Sequence, residues 1–315
     1  MRTNVAILVC GAALAMTTSG CKKSGTGGGG GWFVGTEGMM VNVHDDLLAS
    51  YELGASETLE EIACRYSGEA WVVGAHGTLL YTNDGGDEWS AEELPTSADL
   101  HAVATQDAGR VFVAGDGVFF TAVPDFATGA AAWTQLADGA TTFRSVAAAQ
   151  RGETVLAISD DGGVWSYAGD QLVRLTTIAG ARAVAVSPDG QLALVAGAGL
   201  SRSTDGGKTW TALTVDASMT FEDARLEDTG DGLAVGAAGA VARIDAEGTV
   251  LTQHVGTADL HAMHIAPSTT YSGVGYAAGD GGQIWITHDS GWTWTAGPNV
   301  GHTVLGVDEI GVGHR

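Results

Sequence analysis

Two stretches of equal length, LHAVATQDAGRVFVAGDGVFFTAV (residues 100–123) and ARAVAVSPDGQLALVAGAGLSRST (residues 181–204), share one pattern. Each begins with a short run of alternating small apolar and other residues. A polar turn then leads to a second apolar run, and a turn of small residues leads to a third. Short runs of this kind, bounded by Gly, Asp and Pro, predict β-strands joined by tight turns. The pattern therefore predicts a repeated unit of antiparallel strands.

The same unit recurs along the chain with a period of about 40 residues. A fourth strand follows the third, as in TWTALTV (209–215) and AWTQLAD (132–138). Four short strands in about 40–45 residues are typical of one blade of a β-propeller. We place seven first strands at residues 61–65, 100–104, 143–147, 181–185, 221–225, 260–264 and 304–308. The sequence therefore predicts an all-β fold, a seven-bladed β-propeller of four-stranded blades.

The two ends of the repeat region complement each other. The first copy, GWFVGT at residues 31–36, lacks a first strand, whereas VLGVDEI at residues 304–310 is a first strand without the rest of its blade. We therefore expect the C-terminal strand to complete the N-terminal blade, which closes the ring and removes a free strand edge.

Composition agrees with this fold and restricts the partners. The 315 residues include 48 Gly and only 5 Pro, as expected of many tight turns between short strands. The formal net charge is −23, from 37 acidic and 14 basic residues. A charge of this sign repels nucleic acid at long range, so we expect no nucleic-acid partner.

The N-terminal segment predicts export. Residues 1–20 combine a basic Arg2 with a short apolar run and small residues, as in a secretory signal peptide. Ser-Gly-Cys at residues 19–21 resembles the bacterial lipobox, although Thr18 replaces the usual aliphatic residue. The resemblance implies that Cys21 is lipidated. Lys22, where an Asp would suggest inner-membrane retention, favours a lipid anchor in the outer membrane of the cell envelope.

Three segments follow from these signals. They are the signal peptide at 1–20, the lipidated Cys21 with a Gly-rich tether at 21–31, and the propeller at 32–315. A flexible tether of ten residues has a random-coil reach of roughly 17–19 Å. Cys10 leaves with the signal and Cys21 takes lipid, so Cys64 remains alone and no disulfide forms within the mature chain. We expect Cys64 to be a small core residue, and the propeller to be monomeric.

One octet occurs three times, as TNDGGDEW (82–89), STDGGKTW (203–210) and THDSGWTW (287–294). Its Asp can accept hydrogen bonds from turn amides, its Gly can adopt positive φ, and its Trp can begin the fourth strand and pack between blades. A single carboxylate per turn lacks the oxygen ligands that Ca²⁺ needs. We therefore assign a structural role to Asp84, Gly86, Trp89, Asp205, Gly207, Trp210, Asp289, Gly291 and Trp294.

These octets resemble the Asp-box of the bacterial neuraminidase repeat. With their surroundings, VVGAHGTLLYTNDGGDEW (72–89) and AAGDGGQIWITHDSGWTW (277–294), they resemble the propeller family of photosystem II assembly and stability factors, and the repeat is also WD40-like. The resemblance implies a seven-bladed propeller with the octet between third and fourth strands. It also implies a scaffold that helps to assemble a membrane complex rather than an enzyme.

Sialidases share Asp-boxes, which raises the question of sialidase activity. FRSV at residues 143–146 lacks the Ile and Pro of the sialidase Phe-Arg-Ile-Pro motif, and no tyrosine nucleophile or acid partner can be assigned. His261 and His264 lie three apart in a strand, on opposite faces, which disfavours a shared metal. We therefore predict no catalytic residue, cofactor or metal, while a glycosidase built on two facing carboxylates stays open.

Arginine is concentrated in the predicted first strands, which line the central channel of a propeller. Four arginines and two histidines there form the candidate ligand or partner site: Arg65, His101, Arg144, Arg182, Arg225 and His261. The second positions of the seven strands are Ile62, His101, Arg144, Arg182, Glu222, His261 and Leu305, which places four cations at one level. Such a ring would bind a carboxylate, a phosphate or an acidic peptide. The alternative is internal pairing with Glu222, Asp223 and Asp308.

Two functions follow from the sequence. The first is a lipid-anchored interaction or assembly scaffold for an envelope or membrane protein, bound through an acidic segment. The second is an envelope protein that binds or cleaves glycans, which exposed aromatic platforms beside a carboxylate pair would favour.

Overall fold

The computed structural model describes residues 30–44, 47–52, 57–65, 68–125, 131–265 and 273–309. Within these ranges the regular structure is β-sheet, together with short 3₁₀ turns at Thr36–Gly38, Ala75–Gly77, Ala237–Gly239 and Asp280–Gly282. The predicted signal peptide, Cys21 and nearly all of the tether lie outside the described residues. No helix within the described ranges is long and apolar enough to cross a membrane.

The strands follow one another in chain order, and their bounds are β1 Gly31–Gly35, β2 Met39–His44, β3 Leu47–Glu52, β4 Leu59–Arg65, β5 Glu69–Gly74, β6 Leu79–Thr82, β7 Ser90–Ala91, β8 Leu100–Thr105, β9 Val111–Ala122, β10 Thr134–Ala148, β11 Val155–Ser159, β12 Gly163–Ala168, β13 Gln171–Thr177, β14 Ala181–Val186, β15 Ala193–Gly197, β16 Gly199–Ser203, β17 Thr211–Ala212, β18 Phe221–Leu226, β19 Gly232–Gly236, β20 Ala240–Ile244, β21 Val250–His254, β22 Leu260–Ile265, β23 Gly275–Gly279, β24 Gln283–Thr287, β25 Thr295–Asn299 and β26 Val304–Glu309.

These strands form antiparallel sheets in which neighbours in sequence are neighbours in space. Five sheets have four strands, in the orders β26-β1-β2-β3, β4-β5-β6-β7, β14-β15-β16-β17, β18-β19-β20-β21 and β22-β23-β24-β25. We call these blades 1, 2, 5, 6 and 7. The predicted all-β propeller with four-stranded blades is thus confirmed.

The remaining sheet has six strands because two long strands each serve twice. Residues 111–115 of β9 pair with β8, while its residues 118–121 pair with the first part of β10. The last part of β10, from Phe143 to Ala148, pairs with β11. The six-stranded sheet therefore corresponds to two four-stranded units, blades 3 and 4, joined without a break in β10.

The innermost strands contact one another in a closed cycle. Contacts run from β4 to β8, β10, β14, β18, β22 and β26, and from β26 back to β4. This arrangement is consistent with the predicted seven blades around a channel. The closing strand is also as predicted, because β26 pairs with β1 and places Val307 opposite Phe33.

Every innermost strand has a register irregularity at its second residue, seen for example between Leu100 and Ala102 and between Leu260 and Ala262. Because of this bulge, the first and fourth residues both point into the blade core. Leu100 and Val103 are buried, as are Leu260 and Met263. The second residue is left to face the channel.

A close backbone contact explains the small residue that ends most second strands. In blade 3 a Cβ on Gly115 would lie 2.0 Å from the Asp99 carbonyl oxygen, and in blade 7 a Cβ on Gly279 would lie 2.1 Å from that of Asp259. Gly35, Gly74, Gly197 and Gly236 have the same contact, whereas blade 4 has Ser159 at this position.

The strands define two faces of the ring. One face carries the turns between the second and third strands of the blades, and the innermost strands begin there. We call it the ring face. The octets lie on the opposite face, which we call the octet face. Strand β1 runs from the octet face at Gly31 to the ring face at Gly35, because it is antiparallel to β26.

Candidate functional site

Seven side chains surround the channel at one level on the ring face. They are the second residues of the innermost strands, Glu60, His101, Arg144, Arg182, Glu222, His261 and Leu305, and we call them the channel ring. All seven line one cavity of about 160 Å³. The structure thus brings together four of the six cations that the sequence singled out.

One predicted member of this level is wrong. Ile62 is buried in the core of blade 2, at 1% exposure, and Glu60 occupies the channel position instead. Strand β4 begins at Leu59, two residues before the predicted first strand, and Leu59 pairs with Gly74 as Leu100 pairs with Gly115. Because of the bulge at Glu60, Leu59 and Ile62 both face the core, and Glu60 faces the channel.

Three cations of the channel ring pair with a carboxylate of their own blade. Arg144 donates through Nε and Nη2 to the two oxygens of Asp160, at 2.5 and 3.0 Å. His101 Nε2 lies 3.1 Å from Asp116 Oδ1. In blade 7, His261 Nε2 lies 2.9 Å from Asp280 Oδ1.

The fourth cation pairs across a blade boundary. Arg182 of blade 5 donates through Nη1 to Glu222 of blade 6. Hydrogen bonding raises the pKa of both exposed guanidinium groups, that of Arg182 through Glu222 and that of Arg144 through Asp160. The pKa of Asp116 is lowered despite partial burial, because His101 and Thr142 donate hydrogen bonds to it.

The sequence reasoning missed the three aspartates, although a signal for them exists. Asp116, Asp160 and Asp280 each directly follow the residue that pairs with the first residue of their innermost strand, which is Gly115, Ser159 and Gly279 respectively. The same position holds Thr36, Ala75, Ala198 and Ala237 in the other blades. An acidic residue occurs at this position only in the three blades whose channel residue is His101, Arg144 or His261. A comparison of this position with the channel position across the repeats would therefore have shown the pairs.

A second group of charges lies deeper in the channel. Arg225 is 3.6 Å from Asp223, and His264 Nδ1 is 2.7 Å from Asp308 Oδ1. Burial works against the charge of Arg225, but Asp223, Asp308 and Glu61 outweigh it and its pKa is raised. Burial also raises the pKa of Glu61 to about 8, although Arg225 opposes the shift.

The predicted six cations therefore do not form one unpaired basic group. Arg65 is the last residue of β4, at the octet-face end of the strand, and it pairs with Glu69 at 2.6 Å. The other five line the channel cavity, and each has a carboxylate partner. The alternative of internal pairing is confirmed for Arg182 with Glu222 and for Arg225 with Asp223.

The three octets adopt one turn, shown here for residues 203–210. Asp205 Oδ1 accepts hydrogen bonds from the Lys208 and Thr209 amides, and Ser203 Oγ accepts one from the Gly207 amide at 2.8 Å. Gly207 has φ 89°. The Thr209 hydroxyl, which donates to Asp205 Oδ2 at 2.6 Å, lowers the pKa of Asp205 to about 2 together with the Thr209 amide and the Ser203 hydroxyl. Equivalent bonds form at Asp84 and Asp289, and Gly86 and Gly291 also have positive φ.

The octet tryptophans mostly pack between blades. Trp89 is buried and lies edge-on to Trp32 at 5.7 Å between ring centroids. Trp210 packs against the apolar core between blades 4 and 5, and Trp294 packs against the apolar core between blades 6 and 7. Cys64 packs beside the core of blade 2, and burial raises the pKa of its thiol. Among the described residues, no cluster of three or more His, Cys, Asp or Glu has the arrangement of a metal site.

Comparisons with known proteins add the fold family. No protein-family model matches the chain, and no curated protein matches it. A solved structure described as YCF48 bound to D1 peptide is 17% identical, with a TM-score of 0.59 over 76% of this chain and 80% of the other. A protein from Lactobacillus plantarum is 17% identical, with a TM-score of 0.69 over 90% and 99% of the two chains.

The WD40 β-propeller domain of Doa1 is similar as well. It is 14% identical, with a TM-score of 0.65 over 89% of this chain and 90% of the other. Sequence identities this low establish similarity of fold and not of function. The chain is a β-propeller that resembles YCF48 and WD40 propellers in fold.

Proposed function

We propose that the protein is a non-catalytic interaction scaffold, anchored by lipid in the bacterial envelope, whose channel ring binds an acidic segment of an envelope or membrane protein. The observation behind this proposal is the set of four basic side chains, two arginines and two histidines, at one level of the channel. Two of them, Arg144 and Arg182, have half-exposed side chains, at 45% and 54%. A ligand that approaches the ring face can therefore reach both guanidinium groups.

The internal ion pairs do not prevent such binding. Exposed ion pairs without bidentate geometry contribute about 0–1 kcal/mol, so a ligand carboxylate can compete with Glu222 for the half-exposed Arg182. A guanidinium has five N–H donors, and the internal partner of Arg182 is reached through Nη1 alone. The same groups recognise carboxylates in bidentate geometry, which gives orientation as well as affinity.

The fold family supports a protein partner. The solved YCF48 structure is described as bound to D1 peptide, so a propeller with a similar backbone has a peptide ligand. The four basic side chains of the channel ring are already held by hydrogen bonds, which is an arrangement suited to recognising a carboxylate. We therefore propose binding rather than catalysis for this face.

The binding test compares two faces of the same molecule. Wild-type protein and the Arg144→Ala/Arg182→Ala variant are titrated with a fluorescent Asp/Glu-rich peptide and used to capture partners from detergent-solubilised envelopes. We expect the variant to lose both the peptide and any partner specific to the wild type. Arg151→Ala is the matched control, because Arg151 is an exposed arginine paired with Asp228 in turns of the octet face.

Equal binding by wild type and the double variant would contradict the proposal. The membrane anchor is tested separately by Cys21→Ala, which we expect to move the protein from the membrane to the soluble fraction. If that variant stays in the membrane fraction, the lipid anchor is removed from the proposal. This result would not bear on the channel ring, which the peptide titration tests. The glycan-binding alternative rests on a different surface, described next.

A further inference from the structure

A larger cavity, of about 260 Å³, opens on the octet face between blades 6 and 7. Its wall includes the 227–231 turn of blade 6 and the octet of blade 7, with Trp292. This cavity lies among turns of the octet face, whereas the channel-ring cavity lies among the second residues of the innermost strands, on the ring face. Arg225 lines both cavities. The two cavities open on opposite faces, so a ligand could occupy this one independently.

Trp292 is the unusual feature of this cavity. Its side chain is 56% exposed, whereas the octet tryptophan Trp89 is 3% exposed. The equivalent residues of the other two octets are Asp87 and Lys208, so the turn itself does not require an aromatic residue. A single exposed aromatic residue is common at protein surfaces, but this one lines a cavity beside hydrogen-bonding groups, where its ring can contact a ligand.

The indole is held in place by its neighbours. The guanidinium carbon of Arg243 lies 4.1 Å from the ring centroid of Trp292, a cation–π contact. Arg243 Nη1 also donates to the Ser290 carbonyl, and Gln253 Nε2 donates to the Gly291 carbonyl at 2.9 Å. Since Arg243 covers one face of the ring, the exposed area belongs to the other face and the edges. The aromatic surface is therefore preorganised for a ligand.

The rest of the cavity is amphipathic. Leu233 and Ile265 supply aliphatic surface, while Glu227, Thr229 and Asp231 supply acceptors and a hydroxyl group. Asp231 accepts one bond from Thr229 Oγ1 at 2.9 Å, and a carboxylate accepts up to about four, so acceptor capacity remains. The wall thus combines a flat aromatic ring with several hydrogen-bonding groups.

We propose that this cavity binds a saccharide. A pyranose ring has a face of C–H groups that stacks on an indole and hydroxyl groups that donate to carboxylates, which matches both halves of the wall. A stacked nucleobase is disfavoured because its phosphate would meet a protein of net charge −23. The volume is near the lower end of the roughly 300–1,000 Å³ typical of ligand pockets, so it suits one sugar ring.

The test uses purified protein on an array of N-acetylglucosamine oligosaccharides, glucans and uronic-acid oligosaccharides, followed by calorimetric titration of the sugars that bind. We expect wild type to bind at least one class, Trp292→Ala to weaken that binding at least tenfold, and Trp292→Phe to retain part of it. Val173→Ala is the matched control, because Val173 is an exposed apolar residue, at 46%, on β13, the outer strand of blade 4, and it does not line this cavity.

The melting temperature of Trp292→Ala should equal that of wild type, which separates loss of binding from loss of fold. The Arg144→Ala/Arg182→Ala variant should bind sugar normally, so the outcome is independent of the proposed function of the channel ring. Absence of binding to every sugar on the array, or unchanged binding by Trp292→Ala, would overturn the proposal.

Discussion

Phe33 and Val307 are directly opposite each other in the ladder between β1 and β26, although they come from nearly opposite ends of the described chain. Both are buried, at 0% and 2% exposure. The ring is thus closed by strand pairing and by apolar packing at one seam. Among the described residues the only cysteine is Cys64, so no disulfide holds this seam.

We predict that packing at the seam determines the stability of the whole ring. Val304→Ala and Val307→Ala each remove a buried side chain and should each lower the free energy of unfolding by about 1.5–3 kcal/mol. Leu305→Ala on the same strand should have a smaller effect, because Leu305 faces the channel cavity. Urea unfolding of the three variants measures the difference, and a larger loss for Leu305→Ala would contradict this account.

A second prediction concerns the glycine at the end of a second strand. Gly115→Ala places a Cβ 2.0 Å from the Asp99 carbonyl oxygen, so the backbone must shift, at a cost of about 1–3 kcal/mol. Gly139→Ala in the same blade is the control, because a Cβ there meets nothing within 4 Å. Thermal unfolding should show a clear loss for the first variant and almost none for the second. Equal melting temperatures would mean that the contact is easily relieved.

The third prediction tests the hydroxyl that supports an octet. Ser203 is buried, at 1% exposure, and its Oγ accepts the Gly207 amide at 2.8 Å. Ser203→Ala leaves this amide without its partner, which should lower the free energy of unfolding by about 1–3 kcal/mol. Thr204→Ala, at an exposed neighbouring residue, should change it by less than about 0.5 kcal/mol. Chemical denaturation of both variants provides the comparison.

The fourth prediction concerns pH. The pKa of Glu61 is raised from 4.5 to about 8 in the folded protein, chiefly by burial. A carboxyl with a raised folded-state pKa stabilises the fold below its unfolded pKa, and this contribution is lost as the pH rises through the folded pKa. Stability should therefore fall between pH 4.5 and about 8 through this group.

Glu61→Gln isolates that contribution. The amide keeps an oxygen that can accept the Val103 N–H, which donates to Glu61 Oε2 at 3.1 Å in the wild type. We expect the variant to lose less stability than wild type over the same pH range, as measured by denaturant unfolding at several pH values. Parallel pH profiles for the two proteins would show that Glu61 does not titrate in this range.

The repeat pattern predicted the fold because each blade buries its own apolar positions, and those positions recur at regular intervals. The octets were predictable for a similar reason, since Asp205 and its equivalents bond within a few residues of themselves. The site was harder to predict. Glu60 was missed because the first strand of blade 2 was placed at residues 61–65, two residues after β4 begins at Leu59, which put Ile62 at the channel position.

Partners that lie far apart in sequence were also missed. Arg144 and Asp160 meet across a strand pair, and Arg182 meets Glu222 across a blade boundary. Such contacts depend on how strands register with one another. Trp292 could be recognised as part of an octet, but its contact with Arg243 of the neighbouring blade could not. Sequence therefore located most strands and turns, and the structure determined which side chains line the channel and the octet-face cavity.

The direction of β1 has a consequence for how the protein would be oriented at a membrane. Gly31, the first residue of β1, lies at the octet face. If Cys21 is lipidated as proposed, a tether with a reach of roughly 17–19 Å would hold the octet face close to the bilayer. The cavity lined by Trp292 would then face the bilayer, while the channel ring would face away from it, toward a segment of the partner protein that lies outside the bilayer.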